Sequence, residues 1–340
     1  MNTTRFVEFA KKLYAIDSPS GYTKKAIDFL EEKAKELGYA TSKNQKGNLH
    51  IFIEGKNHDY KVGVSAHTDT LGLMVRSINP DGTLRFTNIG GPILPTLDGE
   101  YCRIITRIGK TYTGTILSTS PAVHVFKDAA TAPRNADTML VKIDEIVKTK
   151  EDVEKLGIMN GDIIAIDPKT TFTDSGFIKS RFLDDKISVC TLFEILSILK
   201  EENIQPDFDT TFIITTYEEV GHGASHLPEI NELLTCDMGC IGADLACTEY
   251  DVSICAKDSG GPYDYEMVTT LIELAKKEKC SFAVDIYPFY GSDVDAALSG
   301  GNNIKGALIG PGVAASHGME RTHMQAIEST IKLILAYLTK

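Results

Sequence analysis

Residues 62–69 read Val-Gly-Val-Ser-Ala-His-Thr-Asp, an apolar run that ends in a histidine and a carboxylate. The run Val62–Ala66 is short and apolar, which predicts a buried strand, and the run Leu49–Ile53 before it predicts a second one. Downstream, apolar strand patterns alternate with amphipathic helical patterns such as Tyr263–Lys279 and Thr322–Leu338. Strands separated by helices favour an α/β fold with a mixed, mostly parallel sheet that is covered by helices on both faces.

The hydrophobic pattern of the sequence changes between residues 72 and 178. Short alternating runs such as Leu71–Ile78 and Tyr112–Leu117 are separated by turn signals such as Asn79-Pro80-Asp81-Gly82, which is typical of a small all-β module. We therefore expect a discontinuous catalytic domain, 1–71 with 179–340, interrupted by an inserted β domain at 72–178. Because this insertion carries none of the candidate site residues, we expect it to serve oligomerisation.

Composition excludes several classes of protein. The 340 residues include 47 acidic and 35 basic side chains, for a formal net charge of −12, whereas a protein that binds nucleic acid needs a basic surface. No run approaches the roughly 18 apolar residues of a membrane span, and Met1–Lys12 lacks the apolar core of a signal peptide. We expect a cytoplasmic protein with no nucleic-acid or membrane partner.

The cysteines do not form a recognisable framework. They are odd in number, and no two of them have the C-x-x-C spacing of common zinc sites. We expect buried free thiols, as in a reducing compartment. The seven residues are Cys102, Cys190, Cys236, Cys240, Cys247, Cys255 and Cys280.

Candidate chemistry lies where the predicted strands end. Ligands in open α/β sheets gather at the carboxyl ends of the strands, so the residues that follow each apolar run are the candidates. Five segments of the chain place a histidine or a carboxylate at such a position. They are His67-Thr68-Asp69, Asp184-Asp185 before a long helix, Glu218-Glu219, Asp244 after the predicted strand Met238–Ala243, and His317 after the loop Gly310-Pro311-Gly312.

This set of residue types suits metal-assisted hydrolysis. Two histidines and several carboxylates, without a thiolate, are suited to a pair of divalent ions that share one bridging carboxylate. A further carboxylate is needed to move protons, and the pair Glu218-Glu219 can supply both a ligand and that acid–base group. His323 begins the last predicted helix and is the alternative to His317. Each of these motifs alone is explained equally well by a structural role. Asp-Asp before a helix, for example, is most often an N-cap with a first-turn acid.

As a set, these motifs resemble those of the co-catalytic metallo-aminopeptidases, and most closely the tetrahedral (TET-type) aminopeptidases. That group includes glutamyl and deblocking aminopeptidases, and relatives are often labelled endoglucanase or fructose-operon proteins. The motifs are Ser65-Ala66-His67-Thr68-Asp69, Leu183-Asp184-Asp185, Glu218-Glu219-Val220-Gly221, Asp244 and His317, with Gly90-Gly91 and Leu97-Asp98-Gly99 in the β insertion.

The resemblance implies a zinc-exopeptidase-like domain with a barrel-like insertion, two divalent ions per subunit (zinc, with cobalt and manganese as alternatives), and dimers assembled into a dodecamer. It implies that His67 and Asp244 hold one ion, Glu219 and His317 the other, and that Asp184 bridges them. Glu218 would then be the general base and afterwards the general acid. Asp69 would be a catalytic-site carboxylate that orients the ring of His67.

Two positions depart from the family pattern. Thr70 stands where the family usually has Glu, and Lys186 stands where it often has Arg. Neither change removes a ligand, and both are expected to alter the surroundings of the metal ligands.

The predicted function is an aminopeptidase that trims short peptides by means of a metal-bridging water activated by Glu218. One alternative is a related di-metal deacylase or carboxypeptidase acting on acyl-amino acids, which would not require a free α-amine. A second is an inactive oligomeric scaffold, whose sequence should lack a ligand or Glu218. A cellulase is disfavoured because the chain has no Trp to stack on sugar rings.

Overall fold

In the computed structural model, which describes residues 1–340, the chain divides into two units. Met1–Thr70 and Lys169–Lys340 form unit 1, and Leu71–Pro168 forms unit 2. No helix of the chain is both long and apolar enough to cross a membrane.

The helices and strands are numbered in chain order. The helices are α1 Thr3–Tyr14, α2 Lys24–Glu36, α3 Lys150–Lys155, α4 Leu183–Glu201, α5 Tyr265–Lys277, α6 Asp293–Ser299 and α7 Met324–Leu338. The strands are β1 Ala40–Lys43, β2 Leu49–Ile53, β3 Asn57–His67, β4 Gly72–Ile78, β5 Leu84–Ile89, β6 Tyr101–Ile105, β7 Thr111–Ser118, β8 Met139–Ile143, β9 Ile163–Ile166, β10 Thr171–Phe172, β11 Phe177–Ser180, β12 Phe208–Thr215, β13 Glu232–Cys236, β14 Gly239–Cys240, β15 Val252–Lys257, β16 Phe282–Ile286, β17 Lys305–Val313 and β18 Glu320–His323.

Unit 1 is built on a nine-stranded mixed sheet. Its order is β1-β2-β12-β3-β13-β17-β15-β16, and the short β14 pairs with β17. The four central strands β12, β3, β13 and β17 run parallel to one another, while β2 and β15 pair antiparallel with their neighbours β12 and β17. The predicted α/β class with a mixed, mostly parallel sheet is confirmed.

The apolar pattern explains why these elements form the core. In β3, Val62, Val64 and Ala66 are all buried, as expected for a central parallel strand. Helix α4 is apolar around most of its circumference and is buried from Leu183 to Leu199, which is typical of a helix enclosed by other elements. It packs against β3, α1 and α7.

Unit 2 is a closed antiparallel barrel with the strand order β4-β5-β8-β7-β6-β9. The pairing of β9 with β4 completes the ring, so that neither of these strands is left as a free edge. Its interior is filled by apolar side chains that are fully buried: Leu73, Phe86, Ile104, Ile116, Val141 and Ile164.

The boundary after the insertion differs from the predicted 178/179. Residues 169–178 belong to unit 1, because β10 pairs with β11 and β11 pairs with β18 of the same unit. An alternating pattern predicts a strand but does not say which sheet will receive it. The last helix also begins later than the predicted Thr322, which lies in β18.

Candidate active site

The carboxyl ends of three parallel strands carry the acidic and histidine side chains. Strand β3 ends at His67, β12 ends three residues before Glu218, and β13 ends directly before Asp237. Because β12, β3 and β13 are parallel neighbours, these side chains emerge at the same edge of the sheet.

Asp184 lies between the two histidines. It sits at the start of α4, where its backbone departs from helical geometry. Its Oδ1 is 3.1 Å from Nε2 of His67, and its Oδ2 is 3.4 Å from Nε2 of His317. One carboxylate thus faces an imidazole with each of its oxygens, which is the placement expected of a ligand shared by two ions.

The adjacent glutamates face different histidines. They occupy a short 3-10 turn, Glu218–Val220. Oε2 of Glu218 is 3.6 Å from Nε2 of His67, and Oε2 of Glu219 is 3.6 Å from Nε2 of His317. The turn therefore directs its two carboxylates to opposite sides of Asp184.

Two groups of potential ligands result. Atoms of His67, Asp184 and Glu219 lie within 4.8 Å of one another, and so do atoms of His67, Asp185 and Asp237. We call the set His67, Asp184, Glu219, Asp237 and His317, together with Glu218, the carboxylate–histidine cluster. Of the predicted metal ligands, the structure brings together all except Asp244.

Asp244 is exposed and belongs to neither group, whereas Asp237 is buried and belongs to the second, so Asp237 replaces Asp244 as the candidate ligand. The predicted strand Met238–Ala243 is reduced to the two-residue β14, and the strand that pairs with β3 is Glu232–Cys236. Both apolar runs are followed by an aspartate, and the earlier run carries the buried one. The signal that could have found it is the compact apolar sequence Leu233-Leu234-Thr235-Cys236 directly before Asp237.

His317 and His323 have different surroundings. His317 has a positive φ of 63° and points its Nε2 at the cluster. His323 has Nε2 at 2.9 Å from the carbonyl of Ser175, and its Nδ1 accepts a hydrogen bond from the backbone N–H of Gln325 at the start of α7. Both ring nitrogens of His323 are thus engaged away from the cluster.

Asp69 lies beside the ring of His67 and contacts it chiefly through its backbone. The atom at hydrogen-bond distance from Nδ1 of His67 is the backbone carbonyl of Asp69, at 2.9 Å, whereas its carboxylate is at 3.5 Å. The carboxylate accepts the backbone N–H groups of Glu218 and Glu219, at 3.1 and 3.3 Å, and the hydroxyl of Ser20. Asp69 therefore fixes the start of the glutamate turn as well as the ring of His67.

Glu320 was not anticipated. It is buried, and its two carboxylate oxygens accept the backbone N–H groups of Asp184, at 3.0 Å, and of His317, at 2.9 Å. It thereby joins two segments that are distant in sequence. Its position three residues after His317 was the available sequence signal.

The two departures from the family pattern lie beside the cluster rather than in it. Lys186 is buried and donates to the carbonyls of Leu13 and Ile16 at the C-terminal end of α1, where a cation is favoured by the helix dipole. Thr70 is buried and donates its backbone N–H to the carbonyl of Ser18. Lys186 thus joins the segment around 13–20 to α4, and Thr70 joins it to the chain that follows β3.

The electrostatics of the cluster favour a bound cation. Burial, together with the charge of Asp184, raises the pKa of Asp237 to about 7 and that of Glu320 to about 8. Burial likewise raises the pKa of Glu218 and Glu219. For Asp184 burial opposes ionisation, but hydrogen bonds from His317 and His67 outweigh it and lower the pKa. So many buried carboxylates repel one another unless positive charge lies among them.

The donor set also fits such an ion. Oε1 of Glu219 is buried and has no hydrogen-bond partner, and a buried polar atom of this kind calls for an explanation. Neutral imidazole and carboxylate oxygen are ligands that zinc, cobalt and manganese accept. The cluster is therefore a candidate metal-binding group.

Comparison with known proteins places the chain in a family. The sequence model of the M42 glutamyl aminopeptidase family matches residues 47–333. YhfE of Bacillus subtilis, which bears an aminopeptidase name, is 44% identical over 334 residues, which cover 98% of this chain and 96% of that protein. The glutamyl aminopeptidase of Lactococcus lactis is 26% identical over 215 residues, or 62% of this chain and 59% of that protein.

Solved structures share the fold. A TET aminopeptidase from a marine sediment archaeon superimposes with a TM-score of 0.89 at 18% identity and covers 99% of this chain and 97% of that one. The dodecameric PhTET1-12s superimposes with a TM-score of 0.86 at 22% identity, covering 98% of this chain and 99% of that one. Given the family match and the candidate metal-binding group, the chain belongs to the M42 aminopeptidase family and is a metallo-aminopeptidase.

Proposed function

We propose that the chain removes N-terminal residues from short peptides, with two divalent ions held by the carboxylate–histidine cluster. His67 and Asp237 would hold one ion, Glu219 and His317 the other, and Asp184 would be shared. The observation that carries this proposal is the placement of the Asp184 carboxylate between the two imidazoles, with one oxygen facing each ring.

When bound, the ions supply Lewis acidity, which makes a water nucleophilic and polarises the scissile carbonyl. The protein's own part is proton transfer by Glu218. Its side chain is 15% exposed at the edge of the cluster, so substrate and water can reach it. Burial and neighbouring carboxylates raise its pKa, which suits a group that takes a proton from water and then delivers it to the leaving amine.

We further propose that the protein works as a homo-oligomer, a dodecamer built from dimers, in the cytoplasm. Its support is the likeness to PhTET1, which is described as a dodecamer and as assembling into a tetrahedron or a large octahedral shell. Zinc is the proposed ion, with cobalt and manganese as the alternatives that the same ligands accept.

The substitution Glu218→Gln tests the mechanism. It keeps the shape of the side chain and removes its ability to accept a proton. We expect full metal content by elemental analysis and a turnover number about 10²–10⁴-fold lower with an aminoacyl substrate, which is the usual contribution of a positioned acid–base group. Near-normal turnover with full metal content would contradict the role of Glu218.

A further inference from the structure

The loop 218–225 carries both glutamates of the cluster and has little support from regular structure. Its first two N–H groups are held by Asp69, as described above. Beyond them Val220, Gly221 and His222 are exposed, and the N–H groups of Gly221 and His222 donate within the turn, to the carbonyls of Glu218 and Tyr217. The contacts that hold its far end therefore determine how stably Glu218 is presented.

Lys46 binds that far end from the hairpin that joins β1 to β2. Its ammonium group donates to the carbonyl of His222, to the carbonyl of Gly223 at 2.7 Å and to the hydroxyl of Ser225 at 2.8 Å. Asn48 in the same hairpin donates to the carbonyl of Gly223 at 2.9 Å. A lysine ammonium has three protons, and here each of them meets an acceptor in this one loop.

Asp293 holds the same segment from the other side. It is buried at the start of α6 and accepts the N–H of Ala224 at 2.8 Å and the hydroxyl of Thr215 at 2.8 Å. The backbone of Gly223 passes so close that a Cβ there would lie 2.1 Å from Oδ1 of Asp293 and 3.2 Å from Cα of Glu218. The carbonyls of the loop thus point to Lys46, while a neighbouring N–H points to Asp293.

We propose that Lys46 is a positioning residue for the hydrolytic reaction, which holds the loop 218–225 against Asp293 and so keeps Glu218 oriented toward the cluster. This inference rests on the proposed role of Glu218. Lys46 takes no part in proton transfer. It acts by limiting the motion of the residue that does, and a displacement of about 1 Å in a reacting group can cost about 10²-fold in rate.

The test is a double-mutant cycle of Lys46→Met with Glu218→Gln. Met retains most of the apolar stem of this half-buried hairpin residue and removes the ammonium donors. In the otherwise unchanged enzyme, we expect Lys46→Met to lower kcat about 10- to 100-fold, with KM within about twofold and the metal content unchanged. In the Glu218→Gln background the same substitution should lower kcat by no more than about twofold, because residues that act through one another are not additive.

Lys43→Met is the matched control. Lys43 lies on the same hairpin and pairs with Glu31 and Asp28 of α2, away from the loop, so kcat should stay at the wild-type level. Wild-type kcat in Lys46→Met, or an equal loss in both backgrounds, would overturn the positioning role while leaving Glu218 as the base. Full activity of Glu218→Gln would instead overturn the proposed function and this inference together.

Discussion

At the scale of single residues, the function depends on which side chain stands directly after a parallel strand. Asp237 follows β13 without an intervening residue and is buried, whereas Asp244 lies in an exposed turn with a positive φ of 61°. Seven positions separate them, and both are aspartates after an apolar run. Only the first is carried to the cluster, because β13 pairs with β3 and β17.

The pair of variants Asp237→Asn and Asp244→Asn tests this placement. Asp237→Asn keeps the size of the side chain and removes one anionic oxygen donor. We expect the variant to lose one of two ions and at least about 10²-fold in activity. Substituting a residue that only hydrogen-bonds a metal ligand already lowers metal affinity by typically 10–100-fold. Metal content and kinetics of Asp244→Asn serve as the control and should match wild type; the reverse pattern would restore Asp244 as the ligand.

At the scale of elements, the sequence predicts which segments are strands better than it predicts which strands pair. The apolar run Leu49–Ile53 is found as β2 with the predicted bounds, and the run that ends at His67 forms the core of β3. At 238–243 the predicted strand shrinks to the two-residue β14, and the strand beside β3 is instead Glu232–Cys236. Residues 169–178 belong to unit 1, where β11 pairs with β18, and not to the inserted domain. Pairing is decided by residues far away in sequence, and no local pattern records it.

The site shows the same division. His67, Asp184, Glu218, Glu219 and His317 were accessible to sequence reasoning because each follows an apolar run or precedes a helix. The contributions of Glu320 and Lys46 were not, because both act through hydrogen bonds to backbone groups of distant segments. Such side-chain-to-backbone contacts leave no spacing signature for Lys46, and for Glu320 only its place three residues after His317.

Strand β17 packs closely against the backbone of Asp237 at Gly310. A Cβ at this position would lie 1.8 Å from the backbone carbonyl oxygen of Asp237 and 3.1 Å from Cα of Met238. We expect Gly310→Ala to push the end of β13 away from β17, with a loss of about 1–3 kcal/mol in the free energy of unfolding and weaker metal retention. Urea unfolding and metal analysis measure the two effects.

Gly242→Ala is the matched control for that experiment. The nearest atom to a Cβ at this position is Cδ1 of Leu245, at 3.9 Å, an ordinary contact. Its stability and metal content should equal those of wild type. Equal behaviour of the two alanine variants would mean that the close approach at Gly310 does not constrain Asp237.

At the scale of the whole molecule, the barrel of unit 2 contributes no side chain to the cluster and carries exposed apolar side chains. We expect these side chains to take part in contacts between subunits, in line with the proposed role of the insertion in assembly. The most exposed of them are Tyr101, Ile108, Val123, Val125 and Ile146, with accessible fractions between 58% and 96%.

Replacing these five residues of the barrel by serine tests the assembly role. We expect light scattering to report a much smaller particle than the wild-type oligomer, because the apolar contact area between subunits is removed. A variant in which Ile286 and Phe289 of unit 1, which are 58% and 96% exposed, become serine is the control and should keep the wild-type mass. An unchanged mass of the five-residue variant would contradict the assignment of assembly to unit 2.

The spread of the cluster along the chain has a consequence for biosynthesis. Its side chains come from positions between His67 and His317, and the central strand β3 pairs with β12 and β13, which are made only after the whole of unit 2. Domains fold as the ribosome delivers them, N-terminal parts first, so the barrel is complete while the sheet still lacks most of its strands. A nascent chain shorter than 317 residues cannot assemble the full carboxylate–histidine cluster, so we expect peptidase activity only once translation has passed that point.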